Sequence, residues 1–263
     1  MSGPWPPKPE TVPLFGIPVS RAGMDETVEY LARVVETGRP HRVVTVNPIM
    51  VMAGLRDPRY MEMLRTADLV VPDGTGIVWA AARAGVPVKE RVPGIELMLR
   101  LLAVGNERRW RVYFLGAADD VVREAVDRLA RRFPGMVVAG VRDGYFSDDE
   151  DDAVVEAIRG AEPHLLFVGR SADRQDPWLA RYKERLGVPV MMGVGGSFDV
   201  LSGRLRRAPA SWQRLGLEWL YRLLQEPHRI RRMAALPAFV AKVLLENRRI
   251  LEYNNWSAHD HDK

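Results

Sequence analysis

Residues 69–76 read Leu69-Val70-Val71-Pro72-Asp73-Gly74-Thr75-Gly76, a short apolar run followed by a carboxylate and two glycines. The run predicts a buried strand, because bulky apolar residues follow one another without alternating polar positions. Similar runs recur along the chain, separated by longer amphipathic segments. The six predicted strands cover residues 42–47, 69–71, 111–116, 137–141, 164–169 and 189–194.

Helical periodicity is found in the segments around these strands. The predicted helices cover residues 25–37, 58–67, 95–104, 119–133, 148–160 and 175–186. Alternating strands and helices predict the α/β class, with a Rossmann-like, mostly parallel sheet covered by helices on both faces. Ligands of such sheets bind at the carboxyl ends of the strands, so the residues after each strand are the candidates for chemistry.

The strand pattern stops after residue 203, and residues 211–225 and 237–253 have helical periodicity. The sequence therefore predicts a core over residues 1–203 and a basic helical C-terminal appendage over residues 204–263, the last ten of which read as a polar end. From Arg204 to Arg249 there are eleven Arg or Lys and three acids, a local charge of +8. Such a segment indicates an anionic partner: substrate phosphates, an anionic membrane surface or nucleic acid.

Composition excludes several classes of protein. The 263 residues are 47% hydrophobic and 27% charged, which is enough apolar material for a sizeable core. The absence of cysteine excludes disulfides, thiolate metal sites and a cysteine nucleophile, and agrees with a cytoplasmic setting. The longest uncharged apolar run, 233–241, is shorter than the ~20 residues of a spanning helix, and residues 1–10 lack an apolar signal segment. We therefore expect a protein that is neither integral to the membrane nor secreted by the common route.

Two predicted strands end in polar side chains. Asp73 stands at a strand tip beside glycines that let a ligand approach, which suits a general base, although the same position suits a helix N-cap. Thr45 and Asn47 end the first predicted strand and can hydrogen-bond a ligand, but residues before Pro48 are also ordinary turn and capping residues. Both interpretations stay open for each position.

Arg91 precedes a tight turn and a predicted helix. It is a candidate for binding phosphate, and the alternative is a surface ion pair with Glu90 or Glu96. The acidic run 148–152 superficially suggests a metal cluster, but its place after Ser147 at a helix start favours first-turn charge. We predict no metal site and no cofactor.

A glycine-rich loop follows the last predicted strand. Gly193, Gly195 and Gly196 open a helix in a geometry that can cradle a pyrophosphate. The dinucleotide fingerprint needs a further glycine where Phe198 stands, so a nicotinamide-dependent Rossmann enzyme is disfavoured.

Three appendage arginines, Arg222, Arg229 and Arg232, are spaced by seven and three residues. An unbroken helix would place them on one face, whereas Pro227 would move the last two to a second segment. They either converge on an anion or form a solvated surface.

These motifs together resemble the bacterial WecG/TagA/CpsF glycosyltransferases. The resembling segments, which span about residues 40–232, are Thr45-Val46-Asn47-Pro48, residues 67–76, Arg91-Val92-Pro93-Gly94, Gly144-Tyr145-Phe146, residues 193–199, and residues 207–229. The resemblance implies the GT-E fold and an inverting, metal-independent transferase. It also implies a UDP-sugar donor, typically of N-acetylmannosamine or its uronic acid, and as acceptor the C4 hydroxyl of GlcNAc on undecaprenyl diphosphate, in cell-surface polysaccharide or teichoic acid-type assembly.

The resemblance also assigns roles to residues. Asp73 matches the proposed base, Thr45 and Asn47 match a polar pair in the active site, and Arg222, Arg229 and Arg232 match cations that close over the diphosphate. Arg91, Gln175 and the three loop glycines complete the predicted substrate-binding set.

One loop departs from the family pattern. Where Gly-Leu-Gly-x-Pro-Lys-Gln-Glu is usual, residues 169–176 retain Gln175 but carry Ser171 and Asp173 in place of a glycine and the proline. Of the properties that the resemblance implies, the identity of the donor sugar is therefore the least directly supported by these residues.

The expected location is cytoplasmic and peripheral at the inner face of the cell membrane, without a nucleic-acid partner and with homo-oligomerisation left open. Two alternatives remain at this point: a basic-tailed α/β module that binds anionic membrane or nucleic acid, and a nucleotide-binding enzyme of other chemistry such as a methyltransferase.

Overall fold

The structure, a computed structural model, describes residues 6–253. The predicted polar end at residues 254–263 lies outside the described residues. One eight-stranded sheet forms the centre of the molecule. Its strands are β1 (Thr11–Leu14), β2 (Ile17–Ser20), β3 (Arg42–Val46), β4 (Leu69–Pro72), β5 (Arg111–Gly116), β6 (Val137–Arg142), β7 (Leu165–Gly169) and β8 (Val190–Gly193).

The strand order is β1-β2-β4-β3-β8-β7-β5-β6, and every neighbouring pair is parallel except the β1–β2 hairpin. The six predicted strands correspond to β3–β8, so the mostly parallel sheet is confirmed. The hairpin was not predicted. Its strands have four residues each and contain Pro13 and Pro18, which break the apolar pattern of a strand.

Helices cover the sheet and continue beyond it. They are α1 (Met24–Thr37), α2 (Pro48–Gly54), α3 (Pro58–Arg65), α4 (Thr75–Arg83), α5 (Gly94–Arg108), α6 (Asp119–Arg132), α7 (Asp151–Gly160), α8 (Ala172–Leu186), α9 (Ser197–Leu201), α10 (Ala210–Arg214), α11 (Glu218–Gln225), α12 (Ile230–Met233) and α13 (Ala235–Glu246). Short 3-10 helices lie at Asp148–Glu150, Pro227–Arg229 and Asn247–Leu251.

Alternating side chains of each strand enter apolar layers on opposite faces of the sheet. Val43 and Val71 pack with α1, α5 and α6, whereas Val44 and Val70 pack with α2, α3 and α4. The period of two residues in a strand produces this division, because successive side chains point to opposite faces. The predicted cover of helices on both faces is therefore confirmed.

The appendage packs against the core through its last helix. Phe239 and Val243 of α13 are buried in the apolar layer that contains α2 and α4, and Ile250 is buried beside them. The Phe15 amide of the hairpin donates a hydrogen bond to the Ile250 carbonyl at 2.7 Å. The division of the chain at residue 203 stays a prediction.

No helix among residues 6–253 combines the length and the apolar character needed to cross a bilayer. Large exposed apolar side chains are nevertheless concentrated in the appendage. Seven of the eleven found in the described chain are Leu215, Trp219, Leu224, Ile230, Val240, Leu244 and Leu245.

Candidate functional site

The site lies at the carboxyl ends of β3, β4 and β8. Strand β3 pairs in parallel with β4 on one side and with β8 on the other. The carboxyl ends of the three strands therefore lie at one edge of the sheet, where α/β proteins bind ligands in a crevice. Asn47, Asp73 and Val194 are the residues directly after these three strands, so the topology brings their segments together.

The Asn47 side chain has one polar group that caps a helix and another that can bind a ligand. Its side-chain oxygen accepts hydrogen bonds from the amides of Ile49 and Met50 at 3.0 and 3.2 Å, which caps α2. The capping interpretation is therefore confirmed for the oxygen. The side-chain NH₂ is the group that can donate to a ligand.

Thr45 lies on β3, against the start of α5. A Cβ atom placed on Gly94 would lie 3.3 Å from the Thr45 hydroxyl, so only a glycine leaves ordinary space there. The Gly94 amide in turn donates a hydrogen bond to the Asp73 carboxylate. Thr45 and Asp73 thus lie on two sides of one glycine.

Asp73 is not a helix cap. The N-cap of α4 is Gly74, and the Asp73 amide donates to the Val46 carbonyl at 2.9 Å, which extends the strand pairing by one residue. Its half-buried carboxyl group lies at the crevice. The N-cap interpretation was wrong, and the position agrees with a general base.

Burial raises the pKa of Asp73 to about 7, because loss of water disfavours the charged carboxylate. The Arg91 guanidinium and the Gly94 amide act in the opposite direction, and the carboxylates of Glu218 and Glu96 add to the increase. The group therefore changes its protonation state near neutral pH, where a general base is most effective.

Arg91 is paired, but with a residue that the sequence did not suggest. Its guanidinium lies 2.5 Å from the carboxylate of Glu218 on α11, and both side chains are about three-quarters buried. The expected partners are engaged elsewhere: Glu90 accepts the Met24 amide at 2.7 Å, and Glu96 pairs with Arg207. The predicted pairing with Glu90 or Glu96 was therefore wrong.

The glycine-rich loop after β8 is supported from beneath by Gln175. The Gln175 side-chain oxygen accepts the Gly195 amide at 3.0 Å, and Gly195 has a positive φ of 49° that a glycine adopts readily. At Gly193 a Cβ atom would lie 2.4 Å from the Gln175 nitrogen. Gln175 is only 5% exposed, so the structure places it behind the loop. Its contact with substrate stays a prediction.

Asp176, next to Gln175, is 2% exposed. Burial raises its pKa to about 6, while the Gln175 amide and the buried Arg42 act in the opposite direction. Gln175 and Asp176 are both buried, so each hydrogen bond lost there would leave an unsatisfied buried polar group. The two residues therefore fix the position of the loop above them.

Two of the three appendage arginines face the glycine loop. Arg222 and Arg229 line a cavity of about 240 Å³ together with Gly196, Arg207 and Glu218. A Cβ atom on Gly196 would lie 2.5 Å from an Arg222 guanidinium nitrogen, so any side chain there would push the guanidinium away from the loop. Burial and the neighbouring Arg222 lower the pKa of Arg229, which shows that the cations are crowded.

A single acid links these two cations. Arg222 and Arg229 both pair with Glu226, the latter at 3.0 Å. Arg232 lies apart: it is more than half exposed and its guanidinium is 3.5 Å from Asp173, one of the residues that depart from the family pattern. The predicted set of three cations therefore includes two that converge and one at the rim.

Sequence reasoning missed Arg207 and Glu218 as parts of the site. Arg207 lies between two acids, paired with Glu96 and 3.9 Å from Glu218. The only sequence signal was their place within the resembling segment 207–229, because ion pairs between distant segments leave no local pattern.

The acidic run after Ser147 is structural. Ser147 and Glu150 form a capping box at a 3-10 helix, which confirms the first-turn interpretation. Asp151 is buried and accepts hydrogen bonds from Trp178 at 2.7 Å and Tyr182 at 2.8 Å, which fixes α8. Within residues 6–253 no group of three or more His, Cys, Asp or Glu side chains is arranged to hold a metal ion.

Comparison with known proteins defines the class of the chain. A model of the glycosyl transferase WecG/TagA/CpsF family matches residues 12–252. The chain belongs to this family and is a glycosyltransferase with the expected α/β fold. This finding favours the transferase over the binding module and the methyltransferase.

Curated relatives share one name, N-acetylglucosaminyldiphosphoundecaprenol N-acetyl-beta-D-mannosaminyltransferase. The protein from Bacillus spizizenii strain W23 is 38% identical over 78% of this chain and 79% of its own length. That from Bacillus subtilis strain 168 is 31% identical over 97% and 99%, and that from Staphylococcus aureus strain MW2 is 37% identical over 79% and 81%.

The raised pKa of Asp73 predicts a stability effect that depends on pH. The folded protein keeps the Asp73 proton up to about pH 7, whereas the unfolded chain loses it near the ordinary aspartate pKa of 3.8. Ionisation of Asp73 therefore lowers stability as the pH rises through this interval. The Asp73→Asn variant should be more stable than the wild type above pH ~7, by about 1–3 kcal/mol, and the gain should vanish below pH ~4.

Urea unfolding at about pH 5 and about pH 8 measures this difference. The control is Asp57→Asn, since Asp57 caps α3 and asparagine caps equally well. A destabilised Asp73→Asn variant at the higher pH would contradict the buried, proton-binding carboxyl.

Proposed function

We propose that the protein transfers an N-acetylmannosamine-type sugar from a UDP-sugar to lipid-linked GlcNAc on undecaprenyl diphosphate, with inversion and without a metal ion. The observation that carries the proposal is the half-buried Asp73, with its pKa near 7, whose charged neighbour Glu218 also lines the cationic cavity of Arg222 and Arg229. The names of the curated relatives support both the sugar and the lipid-linked acceptor.

The geometry supports a single displacement. The Asp73 carboxylate accepts the proton of the acceptor hydroxyl while that oxygen attacks the anomeric carbon of the donor sugar. The bond from the anomeric carbon to UDP breaks at the same time, and its electron pair stays on the diphosphate oxygen. Attack opposite to the leaving group inverts the anomeric centre, so one base is sufficient.

The departing diphosphate needs positive charge where it forms. Arg222 and Arg229 lie beside Gly196 of the loop, Arg207 lines the same cavity, and Arg91 pairs with Glu218 of its lining. Preorganised cations in a partly dry site stabilise developing negative charge more strongly than water does. We expect Thr45 and the Asn47 NH₂ group to hydrogen-bond the sugar between the base and the leaving group.

Replacement of the base tests the reaction. Asp73→Asn should keep the fold and UDP binding but lose about 10²–10⁴ in turnover, the usual contribution of general-base catalysis. UDP release is measured with a panel of UDP-sugars and a short-chain lipid-diphosphate GlcNAc acceptor. Asp57→Asn serves as the active control, and near-normal turnover by Asp73→Asn would refute the assignment.

The arginines should differ in importance. Arg222→Ala and Arg229→Ala each remove a cation from the cavity, so UDP affinity and turnover should fall about 10- to 100-fold, as for a lost charged hydrogen bond. Arg232→Ala is the matched control, since Arg232 is exposed at the rim and pairs with Asp173. Its effect should stay within about threefold. Calorimetry measures the affinity for UDP, and initial rates measure turnover. Equal losses of both quantities in all three variants would contradict the greater importance of Arg222 and Arg229.

The exposed apolar side chains of the appendage support a peripheral position at the cytoplasmic face of the membrane. Leu244 is 52% and Leu245 86% exposed on α13, on a helix whose Phe239 and Val243 are buried in the core. The basic residues Arg248 and Arg249 follow at once and are exposed. A surface that combines apolar and cationic side chains suits an anionic lipid interface.

Vesicle sedimentation tests this position. The double variant Leu244→Ser, Leu245→Ser should bind vesicles containing about one-third anionic lipid at least about tenfold more weakly, because it removes two large apolar side chains from the interface. The matched control is Val137→Ser, Val138→Ser on edge strand β6, which also removes two exposed aliphatic groups. Equal losses in both double variants would contradict an appendage-specific membrane surface.

A further inference from the structure

Four charged side chains connect the appendage to the core beside Asp73. Glu218 of α11 pairs with Arg91 at 2.5 Å, Arg207 lies 3.9 Å from Glu218, and Arg207 also pairs with Glu96 of α5. Glu218 therefore touches one cation from the core and one from the start of the appendage. All four side chains are between 21% and 37% exposed, so the chain of ion pairs is largely shielded from water.

Helix α11 depends on these polar contacts for its position. The structure assigns no buried residue to α11 or to α10, although α13 buries Phe239 and Val243. The ring contact between Trp212 and Tyr221 lies within the appendage itself. On the core side, α11 is held by Glu218 at Arg91 and by Arg222 above Gly196.

We propose that Glu218 is a positioning residue of the transfer reaction: through Arg91 it holds α11 and Arg222 over the glycine loop, and it neutralises the guanidinium that faces the base. The proposal rests on the proposed function. Glu218 touches neither substrate nor reacting atom in this assignment. It acts on Asp73 by neutralising Arg91 and through its own negative charge.

The electrostatic part follows from the groups that face Asp73. Arg91 faces it from the segment before α5, Glu96 from α5 and Glu218 from α11, while the Gly94 amide donates to its carboxylate. An unpaired Arg91 would stabilise ionised Asp73 and make it a weaker base. Glu218 opposes this effect, and its own negative charge acts in the same direction as burial. Loss of the Glu218 charge therefore lowers the pKa of Asp73 in two ways. It leaves the positive charge of Arg91 uncompensated, and it removes a negative charge that faces Asp73.

The test compares pH profiles of kcat/KM for the wild type and Glu218→Gln. Glutamine keeps the size of the side chain and can still accept a hydrogen bond from Arg91, but it removes the charge. The acidic limb, which reports ionisation of Asp73, should move down by about one pH unit, and the plateau should fall about tenfold. A fall of the plateau with an unmoved limb would show a merely structural role and overturn the proposal.

Two further variants complete the design. Glu246→Gln is the matched control, since Glu246 of the same appendage is 26% exposed and pairs with Lys242 at 2.6 Å, away from Asp73. It should keep the wild-type profile. Glu218→Asp keeps the charge and should therefore keep the wild-type limb with a reduced plateau. A shift in Glu218→Asp as large as that in Glu218→Gln would overturn the assignment to charge.

A measurement without substrate separates this inference from the proposed function. Carboxyl carbon NMR, with Asp73 assigned by its absence in Asp73→Asn, should show the Asp73 titration midpoint at lower pH in Glu218→Gln. If the wild type fails to release UDP from any donor, the proposed function fails and this titration still decides the electrostatic part. An unchanged Asp73 midpoint in Glu218→Gln overturns the inference alone.

Discussion

The parallel pairing of β3 with β4 and with β8 is the constraint on which the site depends. Thr45 lies opposite Val71 in the register, so the chain segments after β3 and β4 begin at the same level of the sheet. The Asp73 amide continues this pairing by one hydrogen bond to Val46. A slip of one residue would turn Asp73 towards the opposite face, because strand side chains alternate. The base is thus positioned by backbone hydrogen bonds of the core.

Polar groups within the core support the loops above it. Gln175 holds the glycine loop by one amide, and Asp151 holds α8, which carries Gln175, through Trp178 and Tyr182. The two Asp151 contacts are buried and the Gln175 contact is partly buried, so each is costly to break. The side chains that face the crevice therefore rest on a second layer of residues whose partners are all within the protein.

Periodicity and apolar runs were sufficient to predict β3–β8, because buried parallel strands read as continuous apolar segments. They missed α2 and α4, which begin directly after Asn47 and Gly74, because the residues of both helices are almost all apolar and show no amphipathic period. Asp73 and Asn47 were found from their place after a strand. Glu218 could not be found in this way, since its partner Arg91 is 127 residues distant in the chain. The burial of Gln175 could not be predicted either, because the sequence does not show whether a residue lies behind a loop or faces the ligand.

The β1–β2 hairpin joins the two ends of the described chain. Phe15 contacts the rings of Phe239 and Tyr253, and its amide bonds to Ile250, more than 200 residues later. Contacts over such a separation close a long loop, so they cost more chain entropy than local ones. The segment that carries Arg222 and Arg229 is attached to the core on both sides, through Arg207 at Glu96 and through Ile250 at Phe15. The cationic wall of the site is therefore anchored at two distant points of the sheet domain.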